Sequence, residues 1–376
     1  MTPLLQRHIS SREHAVNIER PDSGEAARWI ELWRGDALAS RLRISLTAQC
    51  NFGCFFCHNE GQSTGSSVLQ RNLGIDDYMR VVFAAADSGI TDIKLTGGEP
   101  LLYRDGTRGI VELVDQLSKV RDSYPINISM TTNGSLLRRY ARDLKSAGLD
   151  RVTLSIHSLS EAGFTAFIGK TVSSRYQSPE AALAILREVK FTQTKINTVV
   201  FGSESAGSLS ELRDIDQLSR QYNVVDHRLY TIIDSERNGV SDEWVRYWND
   251  GRLPMEVSRA LSLNTQDSQI FCDSVEEYIG TRSPDLLPRS ILRLKIGGAS
   301  YSIEAMKPGR FVSQGLSDEG PYALRLAADG TLRSFLPPVE RDPAPTENLT
   351  SSTGVLASAE VLRRCFDTAR ATLAKS

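Results

Sequence analysis

The chain has 376 residues, 40% of them hydrophobic and 24% charged, which suits a large packed α/β unit with appendages and argues against global disorder. Its 44 basic and 46 acidic residues nearly cancel, so neither a nucleic-acid coat nor a polybasic membrane anchor is expected. No apolar run approaches the ~18 residues of a membrane span, and the first residues mix charges with no apolar stretch, so a cytoplasmic protein without a signal peptide is expected.

Residues 1–40 read as an N-terminal cap with one helical stretch, Gly24–Leu38. From 41 to 235, short apolar runs alternate with longer helical patterns. The runs are Leu42–Leu46, Asp92–Leu95, Ile126–Thr131, Arg151–Ile156, Ile196–Phe201 and His227–Ile233, several of them rich in the β-branched residues that strands favour. Helices are expected at Ile75–Ser88 and Leu136–Ala147, each stopped by a glycine. Two more are expected at Pro179–Phe191, with Ser178 as cap and Pro179 in the first turn, and at Leu209–Tyr222 after Ser208. Residues 236–376 are less regular and rich in proline. A short strand at Leu292–Ile296, a hairpin around Asp329 and Gly330, and a last helix from about Ser358 to Leu373 are expected there.

Six strand–helix units in succession predict an α/β fold with a parallel sheet and right-handed crossovers, either an open doubly wound sheet or a partial barrel. Both place chemistry at the C-terminal ends of the strands, here Thr47–Gly61, Thr96–Leu101, Thr131–Ser135 and Ser155–Leu159.

The first of these ends carries three of the chain's five cysteines, Cys50, Cys54 and Cys57, in a C-x3-C-x2-C loop. Cys272 and Cys365 lie far away in sequence. Three thiolates on one tight loop can each bind one iron of a cubane cluster and leave the fourth iron open for catalysis. Gly53 gives the loop freedom to turn, and Phe52, Phe55 and Phe56 supply an apolar shell. The alternative is structural zinc held by the same cysteines and His58, although His58 directly follows Cys57 and has an awkward bite on one ion.

The cysteine loop after the first strand, with Gly97-Gly98-Glu99-Pro100 after the second, resembles the radical S-adenosylmethionine (SAM) superfamily. Further stretches narrow the resemblance to the GTP 3′,8-cyclases of molybdenum-cofactor synthesis: Leu42–Thr47, His58–Gly61, Leu95–Leu102, Met130–Gly134, Ala147–Val152 and Leu324–Gly330. It covers roughly residues 40 to 336. The resemblance implies a partial (β/α)6 TIM-type barrel at 41–235 between an N-terminal cap and a C-terminal extension over the substrate. It implies one [4Fe–4S] cluster on Cys50, Cys54 and Cys57, SAM as partner of that cluster, and a reductant of flavodoxin or ferredoxin type. SAM contacts fall by resemblance on Phe56, Gly97, Gly98, Glu99, Ser155 and Ile233. Those of a small anionic substrate fall on Arg43, Lys94, Thr131, Lys195, Arg228 and Arg325, any one of which could instead simply pair with a barrel carboxylate. His157 stands where the family usually has aspartate. It either touches substrate and exchanges a proton or packs against a helix.

Two further departures stand out. The cyclases hold a second cluster through three C-terminal cysteines, and the matching places here are Asp318, Pro321 and Phe335. The first arginine of a late Arg-x-Arg pair is Ala323. A single-cluster enzyme acting on another nucleotide, nucleoside sugar or related metabolite is therefore expected. An authentic GTP 3′,8-cyclase, a peptide-modifying enzyme of the same superfamily and a non-catalytic cluster protein are the other readings.

Overall fold

The computed structural model describes residues 18–19, 41–57, 73–168, 178–200, 210–224, 226–231, 269–273, 289–296, 299–306, 323–333, 347–350 and 356–375. The six expected strands form within two residues of their expected bounds. They are β1 (Arg41–Ser45), β2 (Asp92–Thr96), β3 (Asn127–Thr132), β4 (Arg151–Ser155), β5 (Lys195–Val200) and β6 (Asp226–Thr231). Each pairs in parallel with the next, in the order of the chain.

The helices between them are α1 (Ile75–Asp87), α2 (Ile110–Ser118), α3 (Leu137–Ser146), α4 (Glu161–Ile168), α5 (Pro179–Glu188) and α6 (Leu212–Gln221). Ser178 caps α5 as expected, its side chain accepting the Ala181 N–H at 3.2 Å. The expected Gly24–Leu38 helix and the Ser208 cap lie outside the described residues.

Strict alternation along the strands gives the sheet two unlike faces. Leu42, Ile44, Ile93, Leu95, Ile128, Met130, Val152, Leu154 and Ile196 point one way and are buried against the helices in one continuous core. The residues between them are polar or charged and line the opposite face. A sheet with helices on one side and a polar lining on the other is the wall of a partial barrel, and no closed barrel forms among the described strands.

Residues beyond 236 continue this sheet at both edges. β7 (Gln269–Asp273), β8 (Arg289–Ile296) and β9 (Ala299–Met306) extend it past β6, with β9 parallel to β6. β10 (Ala323–Leu326) joins β1 in parallel and turns at Gly330 into β11 (Thr331–Arg333), the expected hairpin. The last helix, α7 (Ala359–Lys375), packs on α1 and buries Leu362, Cys365 and Phe366 in the same core.

Candidate functional site

The C-terminal ends of β1, β2 and β3 are stitched into one unit. Gly98 N–H donates to Thr47 O (2.6 Å), and Glu99 N–H donates to Gln49 O (2.8 Å). This approach is possible because Gly97 and Gly98 have no side chains. Gly97 sits at φ +131°, and a Cβ on Gly98 would strike the Gln49 carbonyl.

The Cys50–Cys57 loop is braced from α4. Phe55 N–H donates to Phe167 O at 3.1 Å, and Cys57 N–H closes a turn onto Cys54 O at 3.0 Å. Phe56, Phe164, Phe167 and Ile168 form a small separate apolar cluster beneath the loop, with Phe52 packed against it. No disulfide joins the loop cysteines.

Among the described residues, no three His, Cys, Asp or Glu side chains converge as the ligands of one ion would. Three thiolates on one short loop supply one ligand to each of three irons of a cubane, and His58 of the zinc alternative lies outside the described residues. Burial pushes the Cys50 thiol up to about 11 and the Cys54 thiol higher still, with the neighbouring Cys57 adding to both. An adjacent positive centre, which bound iron would supply, favours the thiolate form of Cys50 and Cys54. The three cysteines fit the cluster.

Glu99 is almost wholly buried. Its Oε1 accepts from Thr132 Oγ1 (2.7 Å) and Leu101 N–H (3.1 Å), and its Oε2 accepts from Asn133 N–H (2.9 Å). Among the described residues no cation faces it. Desolvation therefore outweighs three hydrogen bonds and pushes its pKa up to about 7. A buried carboxylate without a countercharge fits an ammonium ligand.

The polar face of the sheet carries the expected substrate residues in register. One rung runs Arg325, Arg43, Lys94, Ser129, Arg151 across β10, β1, β2, β3 and β4. The next runs Thr131, Thr153, Lys195, Asp226, and a third runs Ser155, Asn197, Arg228. Along β10 and β1–β6 this face carries seven cations, Arg41, Arg43, Lys94, Arg151, Lys195, Arg228 and Arg325, against two carboxylates, Asp92 and Asp226.

Some of that charge is internally matched. Arg41 pairs with Asp92 at 2.6 Å, Arg151 approaches Asp92 at 3.8 Å, and Lys195 pairs with Asp226. Burial and the nearby Arg228 lower the Lys195 pKa. Lys94 and Arg325 are each 7% exposed, and the other five cations are half-buried. Thr131 Oγ1 and Asn197 Oδ1 are buried here and accept or donate no hydrogen bond among the described residues. Orphaned polar atoms inside a cationic lining suit a polar anionic ligand.

Of the two readings of His157, the geometry favours packing. Its Nδ1 accepts the Val199 N–H at 3.0 Å, and its ring stands edge-on to Phe56 and Phe167, with centroids 4.8 and 5.5 Å away. Desolvation pushes its pKa down to about 3, which keeps the ring neutral. Ile233 lies outside the described residues, as do Asp318, Pro321 and Phe335.

Reading the sequence assigned no role to Asn51, Asn133, Ser135, Arg151 or Asn197. The signal for Asn197 and Arg151 was available. Both fall on the same face as residues already singled out, Asn197 two residues beyond Lys195 and Arg151 on the rung of Arg43 and Lys94.

Residues 44–214 match the family model of the radical SAM superfamily. The chain is 35% identical over 272 residues to a probable GTP 3′,8-cyclase of Thermoplasma volcanium, covering 72% of each chain. It is 39% identical over 166 residues to a protein of the same description from Sulfolobus acidocaldarius, where the match spans 49% of that relative. For the one from Methanococcus aeolicus the match is 36% identical and spans 54% of the relative. Among solved structures, Streptococcus suis SuiB bound to S-adenosylmethionine is similar at 15% identity and a TM-score of 0.47, covering 87% of this chain and 68% of that one.

Proposed function

Because the chain belongs to the radical SAM superfamily, we propose that it is a single-cluster enzyme of that superfamily which abstracts hydrogen from a small anionic metabolite, a nucleotide or nucleoside sugar by preference. When bound, the cluster and SAM supply a 5′-deoxyadenosyl radical by reductive cleavage of SAM.

Cys50, Cys54 and Cys57 hold the cluster at the rim of the barrel. Glu99 takes the ammonium of SAM, and the backbone of Gly97 and Gly98 lets the cofactor lie close to β2. Phe56, fixed by the aromatic cluster and by His157, presents its main chain toward the adenine, and Ser155 contacts SAM from the end of β4. Deeper on the same face, Arg43, Lys94 and Arg325 form one cationic row, with Arg228 on the neighbouring rungs. They bind and orient the anionic part of the substrate so that one C–H bond faces the cofactor. Lys195, held by Asp226, acts as a fixed member of the same set.

The observation that carries this reading is the register of Arg325, Arg43 and Lys94 on one rung of the barrel's polar face, with the orphaned Thr131 Oγ1 and Asn197 Oδ1 on the rungs beside it. A row of basic side chains next to unanswered polar atoms suits the anionic part of a substrate. The single-cluster assignment rests on Asp318, Pro321 and Phe335, which offer no thiolate at the places where the cyclases bind their second cluster.

The test is anaerobic reconstitution with dithionite, SAM and a panel of nucleotides and nucleoside sugars, followed by assay of 5′-deoxyadenosine. An anionic member of the panel is expected to raise 5′-deoxyadenosine well above the uncoupled rate. Efficient 3′,8-cyclisation of GTP by the wild-type chain would replace this reading with that of an authentic cyclase.

A further inference from the structure

Between the cysteine loop and the end of β3, three side chains form a closed ring of hydrogen bonds. Asn133 Nδ2 donates to Asn51 Oδ1 at 2.9 Å, Asn51 Nδ2 donates to Ser135 Oγ at 2.8 Å, and Ser135 Oγ donates to Asn133 Oδ1 at 2.7 Å. The ring has one further member, the Ser135 main-chain N–H, which also donates to Asn133 Oδ1 at 3.0 Å.

That last bond fixes the orientation of the amide. A backbone N–H cannot accept, so Asn133 must present its oxygen to Ser135 and its NH2 to the cysteine loop. There Nδ2 lies 3.9 Å from Cys50 Sγ in hydrogen-bonding geometry. The Phe52 N–H donates to the same sulfur at 3.4 Å. The main-chain N–H of Asn133 meanwhile donates to Glu99 Oε2 at 2.9 Å. One residue thus grips the carboxylate of the SAM amino-group site with its backbone and a cluster-ligating sulfur with its side chain.

We propose that Asn133 is a positioning residue for the iron–sulfur centre, its locked side-chain amide donating to the Cys50 thiolate and raising the cluster's reduction potential. This rests on the assignment of Cys50, Cys54 and Cys57 as cluster ligands. A hydrogen bond to a ligating sulfur stabilises the extra negative charge of the reduced state more than it stabilises the oxidised state. Asn51 and Ser135 touch no sulfur through this ring and act by holding the amide in place. Because the backbone of Asn133 also holds Glu99, the distance between the amino-group site and Cys50 is set by one rigid residue.

The experiment is a potentiometric titration of the reconstituted full-length protein, followed by paramagnetic resonance of the reduced cluster, with iron content measured alongside. Asn133→Asp keeps the shape but replaces the donor with an acceptor. It is expected to lower the reduced-to-oxidised ratio about tenfold at fixed potential, a shift of about 59 mV for a one-electron couple, to more negative values. Ser135→Ala loosens the amide without touching the cysteines and is expected to shift the potential in the same direction by less. Both variants keeping the wild-type midpoint at full iron content would overturn the proposal. Should Asn133→Asp fail to take up iron, Ser135→Ala decides alone, and an unchanged midpoint there overturns it. A wild-type chain that binds no iron would strike at the cluster assignment itself, a result that iron analysis separates from a changed potential.

Discussion

The rim of the barrel and its cationic interior are built on opposite principles. At the rim, Glu99 has three donors, Asn133 and its neighbours close a ring, and the cysteine loop is tied to β2 and α4 through main-chain bonds. The polar groups that shape the site there are tied to one another by the chain itself. In the interior, cations outnumber carboxylates along β10 and β1–β6, and Thr131 Oγ1 and Asn197 Oδ1 are buried without hydrogen-bond partners among the described residues. In the proposed reading the rim is preorganised for a fixed cofactor pair, and the interior offers its polar groups to the substrate. A family that keeps its cofactor chemistry while changing substrates would be expected to divide its architecture in this way.

The largest effect that separates the two regions comes from the loop cysteines. Cys50→Ala, Cys54→Ala or Cys57→Ala is expected to abolish cluster binding and all SAM cleavage, as measured by iron content and 5′-deoxyadenosine. Cys365→Ala is expected to keep both, because Cys365 is buried in α7 against the general core. Next, Arg43→Ala or Arg228→Ala is expected to lower substrate-dependent turnover about 100-fold through lost orientation while leaving uncoupled SAM cleavage close to wild type. Equal loss of both rates would erase the proposed division between rim and interior.

Most of this division could be read from the sequence. Short apolar runs rich in β-branched residues, such as Leu42–Leu46 or Arg151–Ile156, placed the six strands. α2 escaped because it begins after Gly109, without a side-chain cap, and follows a two-residue hairpin at Arg104–Asp105 and Arg108–Gly109. α4 escaped because Glu161–Ile168 is short, contains Gly163 and is apolar on most sides. Of the C-terminal strands the core of β8 and the β10–β11 hairpin were legible. β7 and β9 also pair with Ile18–Glu19 and β6, which lie far along the chain, and local pattern cannot report that. At the site, resemblance located the cysteines, Glu99 and the cationic rows. The role of Asn133 was hidden because its partners Asn51, Ser135 and Glu99 meet it only once three strand ends are side by side.

A smaller effect concerns pH. Burial raises the Glu99 pKa from 4.5 to about 7, so the folded chain retains a proton that the unfolded chain has lost in that interval. The stability contributed by this group is fully present below 4.5 and is lost as pH rises through 7. An ammonium ligand prefers the carboxylate, so SAM binding is expected to tighten as pH rises through this range, by up to about tenfold per pH unit. Glu99→Gln is expected to weaken binding and to remove the pH slope in titration calorimetry. A wild-type affinity independent of pH between about 6 and 8 would show that Glu99 is already ionised or does not meet the ammonium.

The smallest effect tests the contrast within one strand, between adjacent residues. Thr132 Oγ1 donates to Glu99 Oε1 at 2.7 Å and accepts the Gly134 N–H at 3.1 Å. Thr132→Val deletes both bonds and leaves two buried groups short of a partner, so a loss of about 1–3 kcal/mol in unfolding free energy is expected. Thr131 Oγ1 is also buried, yet has no hydrogen-bond partner among the described residues. Thr131→Val is nearly isosteric and removes an orphaned hydroxyl, so stability is expected to stay within about 0.5 kcal/mol or to rise slightly. Denaturant unfolding of the two variants measures the difference directly. Substrate-dependent turnover is expected to fall in Thr131→Val, because the hydroxyl that the fold does not use is available to the ligand. Equal destabilisation by both substitutions would mean that the barrel interior satisfies its own polar groups as the rim does.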